Sequence, residues 1–177
     1  LQQLTGVQEF MGLEFQVNEH VLIPRQDTET LVELILNEHK EKNISLLDVC
    51  TGSGCIAVSL AKLGGYADVT ALDLSEEALK VAKSNGEKLL DHPVKFIKSD
   101  MFSALDPENR YDVIVSNPPY IPSQVIEGLE PEVKDHEPRM ALDGEPDGLK
   151  FYRILAEEGK KYLKNGGEIY MEIGWDQ

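Results

Sequence analysis

Asn117-Pro118-Pro119-Tyr120 follows directly on the apolar run Tyr111–Ser116, which reads as a buried strand. Two consecutive prolines hold φ near about −65° and carry no backbone N–H, so the loop leaving that strand is stiff and offers carbonyl acceptors with few donors. Asn117 adds a side-chain carbonyl and Tyr120 an aromatic face. A planar group bearing an NH2 suits such a pocket, because its hydrogens can point at two oxygens while its face lies against the ring. A primary amide and the exocyclic amine of a nucleic-acid base both have that shape. A turn residue at a strand end and a rigid loop are the bland readings of the same four residues.

A second constellation lies upstream. The run Ser45–Val49 reads as a strand that enters a turn spanning Cys50–Gly54 and then opens a helix at Cys55. Glycines at 52 and 54 let the backbone pass close to a ligand while helix N–H groups face it. Asp73 stands 19 residues beyond Gly54, at the end of the next predicted strand, where a carboxylate can accept both hydroxyls of a ribose. A nucleoside across the two strand ends is the expectation, with tight packing as the competing explanation of the glycines. The pattern is not that of a dinucleotide fingerprint, since Ala57 stands where the third glycine belongs.

Other reactive side chains give less. Cys50 and Cys55 are five apart, with no CxxC and no histidine at zinc-ligand spacing, and are expected as small buried hydrophobes. His20, His39, His92 and His136 are scattered. No metal site is expected.

The elements that must position these groups follow from periodicity. Val7–Asn18 alternates apolar and polar residues around Met11-Gly12 as a β-hairpin does, with Phe10, Leu13, Phe15 and Val17 available for packing. Asp27 or Thr28 is placed to cap a helix that turns Leu31, Val32, Leu34, Ile35 and Leu36 toward a core. Strands are expected at 45–49, 68–72, 94–98, 111–116 and 168–172, and helices at 55–63, 76–89 (capped by Ser75) and 149–163, with Asn165-Gly166-Gly167 as a turn. Such βα alternation with short connections implies a parallel sheet covered by helices on both faces. The Pro- and acid-rich segment 124–148 reads as a functional loop or lid, or as a solvated connector.

A chain of 177 residues with 41% hydrophobic content suits one compact domain. No apolar run reaches the roughly 18 residues of a membrane span, no membrane association is expected, and Leu1 onward does not look like a signal peptide, so a cytoplasmic location is expected. Seventeen basic against 32 acidic residues give a net charge of −15, which disfavours phosphate-driven nucleic-acid binding and favours a neutral or basic protein partner.

The pattern Asp48-x-x-Thr51-Gly52-Ser53-Gly54 resembles motif I of class I S-adenosylmethionine-dependent methyltransferases. Asp100, with Met101 and Phe102 after it, falls where that superfamily holds the adenine. With Asn117-Pro118-Pro119-Tyr120, the runs 21–29, 115–121 and 147–149, Glu137-Pro138, Ala141-Leu142 and Glu172-Ile173-Gly174, nearly the whole chain resembles the bacterial PrmC/HemK family. That resemblance implies an α/β, Rossmann-like class I methyltransferase fold with an N-terminal β-hairpin: residues 1–20 lead into a catalytic domain over 21–177 that is incomplete at its C-terminus. Family members also carry an N-terminal helical domain and two further strands, so the chain is expected to be part of a longer protein. The family usually has glycine where Cys50 stands, proline at Gln26 and often an aromatic at Met101. Cys50 is small enough to keep the turn provided its φ stays negative.

The resemblance further implies an enzyme that transfers methyl from S-adenosylmethionine, leaving S-adenosylhomocysteine, to the amide nitrogen (N5) of the glutamine in the Gly-Gly-Gln loop of peptide chain release factors. Thr28 would approach the methionine end of the cofactor. Asp48, Cys50, Thr51, Gly52, Ser53 and Gly54 would form its turn. Asp73, Leu74, Asp100, Met101 and Phe102 would hold the nucleoside, and Asn117 would touch both cofactor and substrate. Asn117, Pro118 and Tyr120 would be catalytic, with Pro119 completing the substrate pocket. An amide nitrogen is a poor nucleophile because its lone pair is delocalised into the carbonyl. Acceptors at Asn117 and Pro118 would concentrate density on it. A base-amino methyltransferase acting on DNA or RNA and a non-catalytic cofactor-binding fragment are the alternatives.

Overall fold

The computed structural model describes residues 6–118 and 150–172. Pro119, Tyr120, the segment 124–148 and Gly174 lie outside the described residues.

Two short strands open the chain, β1 (Val7–Phe10) and β2 (Leu13–Gln16), paired antiparallel. Met11 and Gly12 join them with φ of 55° and 77°, the left-handed pair that a two-residue hairpin turn requires. Phe10 and Phe15 meet edge to face and enter the main core, so the hairpin packs on the domain that follows it.

The main sheet is wholly parallel, in the order β5-β4-β3-β6-β7. Its strands are β3 (Ser45–Val49), β4 (Asp68–Asp73), β5 (Lys95–Lys98), β6 (Tyr111–Ser116) and β7 (Leu163–Met171). Every residue of β3 is buried, as a central strand covered on both faces demands. The alternation of side chains along the strands divides the core in two. Leu46, Val69, Ala71, Val113 and Val115 face one cluster with helices α1 (Gln26–Glu38) and α2 (Cys55–Gly64). Leu47, Val49, Leu72 and Ile114 face the other, with Phe102 and helix α4 (Lys150–Gly159). Helix α3 (Glu76–Leu89) begins where its sequence says, with Ser75 Oγ accepting from the Ala78 N–H at 3.1 Å.

Two expectations need correction. Helix α1 starts at Gln26 behind Arg25, which makes no side-chain cap, and neither Asp27 nor Thr28 caps it. Asn165-Gly166-Gly167 is not a turn ahead of a strand. After a 3-10 turn at Lys160–Tyr162, β7 runs through it, and the pairing with β6 jumps from Tyr111↔Leu163 to Val113↔Glu168. Gly166, at φ 79°, absorbs the extra residues as a bulge.

The register sets the site. Val49 lies level with Leu72 on one side and with Ser116 on the other, so the chain leaves β3, β4 and β6 at one edge. The strand order reverses between β3 and β6, and in open α/β sheets that crevice is where ligands sit.

Candidate active site

The turn after β3 is held by hydrogen bonds from every side. The Thr51 N–H donates to the Leu72 carbonyl at 2.8 Å, and the Gly54 N–H donates back to Thr51 at 2.9 Å. Below it, Asp48 Oδ2 accepts from Thr51 Oγ1 at 2.7 Å and from the Ala57 N–H at 3.2 Å, which ties the strand end to the first turn of α2. Asp48 is only 1% exposed, and burial pushes its carboxyl up to about 7 against the pull of those two hydrogen bonds. Its Oδ1 has no hydrogen-bond partner among the described residues. Asp73 closes the turn from the neighbouring strand: Oδ2 accepts from the Gly52 N–H at 2.8 Å and Oδ1 from the Ser75 N–H at 2.9 Å. Burial raises Asp73 as well. Each of its oxygens keeps a lone pair for a further donor.

Gly52 and Gly54 serve different ends. Gly52, at φ 57°, would carry a Cβ into open space, so its requirement is conformational. At Gly54, φ is 84° and a Cβ would lie 3.1 Å from that of Ala82, so helix α3 would have to give by a few tenths of an ångström to admit one. Cys50 overturns the expectation of a negative φ. It sits at φ 65°, in the region where a side chain is strained, because the chain must turn there to bring 51–54 over the sheet. Its Sγ lies 3.6 Å from Sδ of Met101, itself at φ 53°.

These elements frame a cavity of about 280 Å³. Cys50, Thr51, Gly52 and Ser53 form its floor, Asp73 and Leu74 one side, and Asp100 and Met101 the next. Thr28 and Asn117 stand on the opposite side. A carboxylate with open lone pairs beside the apolar flanks of Leu74 and Met101 fits a nucleoside: hydroxyls to Asp73, a flat ring between the flanks.

The opposite side is built from β6, β7 and α1. The Glu172 N–H donates to the Ser116 carbonyl at 3.1 Å, which brings the residue after β7 level with Asn117. Thr28, 2% exposed, spends its hydroxyl sideways, Oγ1 donating to Glu172 Oε1 at 2.5 Å. Thr28 sits inside the first turn of α1, its N–H on the Arg25 carbonyl at 3.1 Å, and so is not at the cap position. Asn117 Oδ1 is buried and accepts no hydrogen bond among the described residues.

Residues 26–128 match the Methyltransferase small domain family. The chain belongs to that family. This methyltransferase domain is 46% identical over 176 residues to the release factor glutamine methyltransferase of Streptococcus pneumoniae, covering 99% of the chain and 62% of that relative. It is 45% identical over 177 residues to the enzyme of the same name from Geobacter sulfurreducens, covering all of the chain and 61% of the relative. The chain thus spans less than two thirds of the length of these relatives. A methyltransferase structure from Pyrococcus furiosus shares the fold at TM-score 0.64 and 21% identity, over 91% of this chain and 69% of that one.

Not every residue singled out in the sequence of this methyltransferase domain reaches the cavity. Asp48 lies beneath the floor and Gly54 behind it, and Pro118 is buried outside the lining. Phe102 is a correction: it stacks on Tyr162 with ring centroids 5.2 Å apart and belongs to the core. Met101's left-handed backbone parts the two side chains, sending Met101 to the cavity and Phe102 inward. Sequence reasoning missed the segment 19–24, which walls the cavity between β2 and α1, together with Phe151 from α4, while Arg25, read as able to shape the pocket, is in the lining. The apolar run 21–24, too short for an element, was the available signal. It also missed Asn85. That buried side chain on α3 donates to the carbonyls of Gln16 (3.1 Å) and Ser53 (2.9 Å) and accepts from the Gln16 N–H (2.7 Å), pinning the hairpin to the turn.

Proposed function

We propose that this domain methylates the side-chain amide nitrogen of the glutamine in the Gly-Gly-Gln loop of a peptide chain release factor, with S-adenosylmethionine as donor. The observation that carries the reading is the buried Oδ1 of Asn117 at the cavity's edge, without a partner among the described residues, since a buried acceptor left alone is destabilising until a donor arrives. The names of the relatives that match nearly the whole chain support a release-factor glutamine as that donor. The net charge of −15 favours a protein over a polyanion.

S-adenosylmethionine, when bound, supplies an electrophilic methyl group on a cationic sulfur. Asp73 would receive the ribose hydroxyls, and Leu74 and Met101 would flank the adenine. Asn117 Oδ1 and the Pro118 backbone oxygen accept the two hydrogens of the substrate NH2, localising density on nitrogen. Tyr120, outside the described residues, would supply an aromatic face to the amide plane. With no base in the motif, these residues act by orientation, worth about 7–11 kcal/mol in favourable cases, and by placing partial negative charge next to a cation. With the S–CH3 bond broken and the N–CH3 bond formed, the protonated amide nitrogen would be strongly acidic and would lose its proton to solvent water.

The test is mass spectrometry of a release-factor domain bearing Gly-Gly-Gln after incubation with the chain and S-adenosylmethionine. One added methyl, located on the glutamine, is the expected result. An unmodified glutamine alongside a methylated nucleic acid in a parallel reaction would transfer the pocket to base chemistry.

A further inference from the structure

Three sulfur-bearing residues line the cavity: Cys50, Cys55 and Met101. The two thiols are kept protonated. Burial, with Asp48 next, pushes Cys55 up to about 12, and burial, with Asp73 and Asp48 after it, raises Cys50 as well. Oxidants attack the thiolate, so both cysteines are inert in this setting. A thioether needs no deprotonation to be oxidised. Met101 is also held where it stands. It is 6% exposed, at φ 53°, and its carbonyl accepts from Ser99 Oγ at 2.7 Å. Ser99 is tied in turn, its Oγ accepting from the Ala104 N–H at 3.0 Å and its N–H donating to the Asp73 carbonyl at 2.9 Å. A backbone fixed in this way does not swing the side chain off the cavity. Sδ lies 3.6 Å from Cys50 Sγ in the floor. The groups beside it are poorly matched to a new oxygen, since the Ser99 hydroxyl is committed to the Met101 carbonyl and Asp73 and Asp100 bring further acceptors.

We propose that Met101 is a modification site for hydroperoxides, and that its oxidation switches off binding in the cavity. This rests on the cavity holding S-adenosylmethionine with its base against Met101. A lone pair of Sδ attacks one oxygen of hydrogen peroxide. The S–O bond forms as the O–O bond breaks, sulfur is oxidised by two electrons, and the other oxygen takes the proton of the transferred one and leaves as water. The resulting sulfoxide puts a polar, chiral group where an apolar flank faced the base. A bound cofactor covers Met101, so the empty domain is the form that is modified.

The experiment treats the chain with hydrogen peroxide, with and without saturating S-adenosylhomocysteine, and follows each methionine by peptide mapping in a mass spectrometer. Met101 should gain one oxygen in the empty domain and be slowed by the ligand. Met11, in the hairpin turn and outside the cavity lining, should react alike in both. Calorimetric titration of the oxidised chain should then show S-adenosylhomocysteine weakened roughly ten- to hundredfold. The two methionine sulfoxide reductases, which take one epimer each, should restore the affinity, and dithiothreitol alone should not. Met101→Leu has no sulfur to oxidise, and whatever affinity it starts from should survive the same treatment. Recovery with dithiothreitol alone would assign the effect to a cysteine and overturn the proposal. So would a Met101 that stays unoxidised, that the ligand does not protect, or whose oxidation leaves the affinity unchanged. An untreated chain that binds no S-adenosylhomocysteine would reject the cofactor reading, and the switch with it.

Discussion

The two sides of the cavity are built on opposite principles. Around the β3 turn most polar groups are engaged within the protein: Asp73 takes two backbone N–H groups, Asp48 takes Thr51 and Ala57 on Oδ2 while its Oδ1 has no partner among the described residues, and Asn85 closes three hydrogen bonds between the hairpin and Ser53. At the end of β6, Asn117 presents a buried oxygen that accepts no hydrogen bond among the described residues. The first side holds a fixed shape and can wait for a ligand at little reorganisation. The second leaves an acceptor whose satisfaction must come from outside, which ties its stabilisation to the arrival of a substrate.

The largest expected effect breaks the comparison at the open side. Asn117→Ala should lower the rate of methyl transfer by about 10²–10³-fold or more, the scale of removing one oriented polar group from a reacting centre. Binding of S-adenosylhomocysteine should change by no more than a fewfold. Single-turnover kinetics beside titration would separate the two, and near-normal turnover would remove Asn117 from the chemistry. On the closed side the pattern should reverse. Asn85→Ala strands two carbonyls and an N–H in the interior and should lower stability by about 2–4 kcal/mol in urea unfolding. Ser75→Ala, which loses one cap, should lower it by only about 1 kcal/mol.

The closed side was the more legible in sequence, and the reason is local. Gly52 and Gly54 announce a backbone that side chains would block, Ser75 announces a helix start, and continuous apolar runs announce buried parallel strands. What escaped depends on residues brought together by the fold. Asn85 was not singled out, yet it follows Val81 and Ala82 by four and three residues, on the buried face of α3, which was a signal available to periodicity. Asn165-Gly166-Gly167 was misread because the same residues serve a reverse turn and a bulge, and only the pairing with β6 decides between them. Phe102 was misplaced because the direction of its side chain depends on the left-handed φ of Met101.

Asp48 gives the closed side a pH signature of intermediate size. Burial is the leading cause of its rise from 3.8 to about 7, so in this window the folded protein binds more protons than the unfolded chain. Stability should therefore fall as pH rises from about 4 to about 7, and level off above that as Asp48 becomes charged in both states. Asp48→Asn keeps an acceptor for Thr51 and Ala57 and cannot ionise. Its unfolding free energy should be flatter across the same range, with the gain over the natural residue growing toward pH 8. A parallel slope in both proteins would assign the pH dependence elsewhere.

The smallest expected effect locates strain. Cys50 holds φ 65° at the entry to the turn, a conformation that disfavours any side chain by about 1–2 kcal/mol and that glycine adopts freely. Cys50→Gly removes that strain, but it also gives the unfolded chain more freedom and deletes the contact of Sγ with Met101. The three terms nearly balance, and a net gain of about 0.5–1 kcal/mol is expected if the strain is as large as the angle implies. Cys50→Ala separates them, since it keeps the strain and loses only the sulfur. Glycine should therefore be the more stable of the two variants in urea unfolding. If alanine matched or exceeded it, the turn would be relaxed at Cys50, and the fixed shape of this side would rest on the hydrogen bonds of Asp73, Asp48 and Asn85 alone.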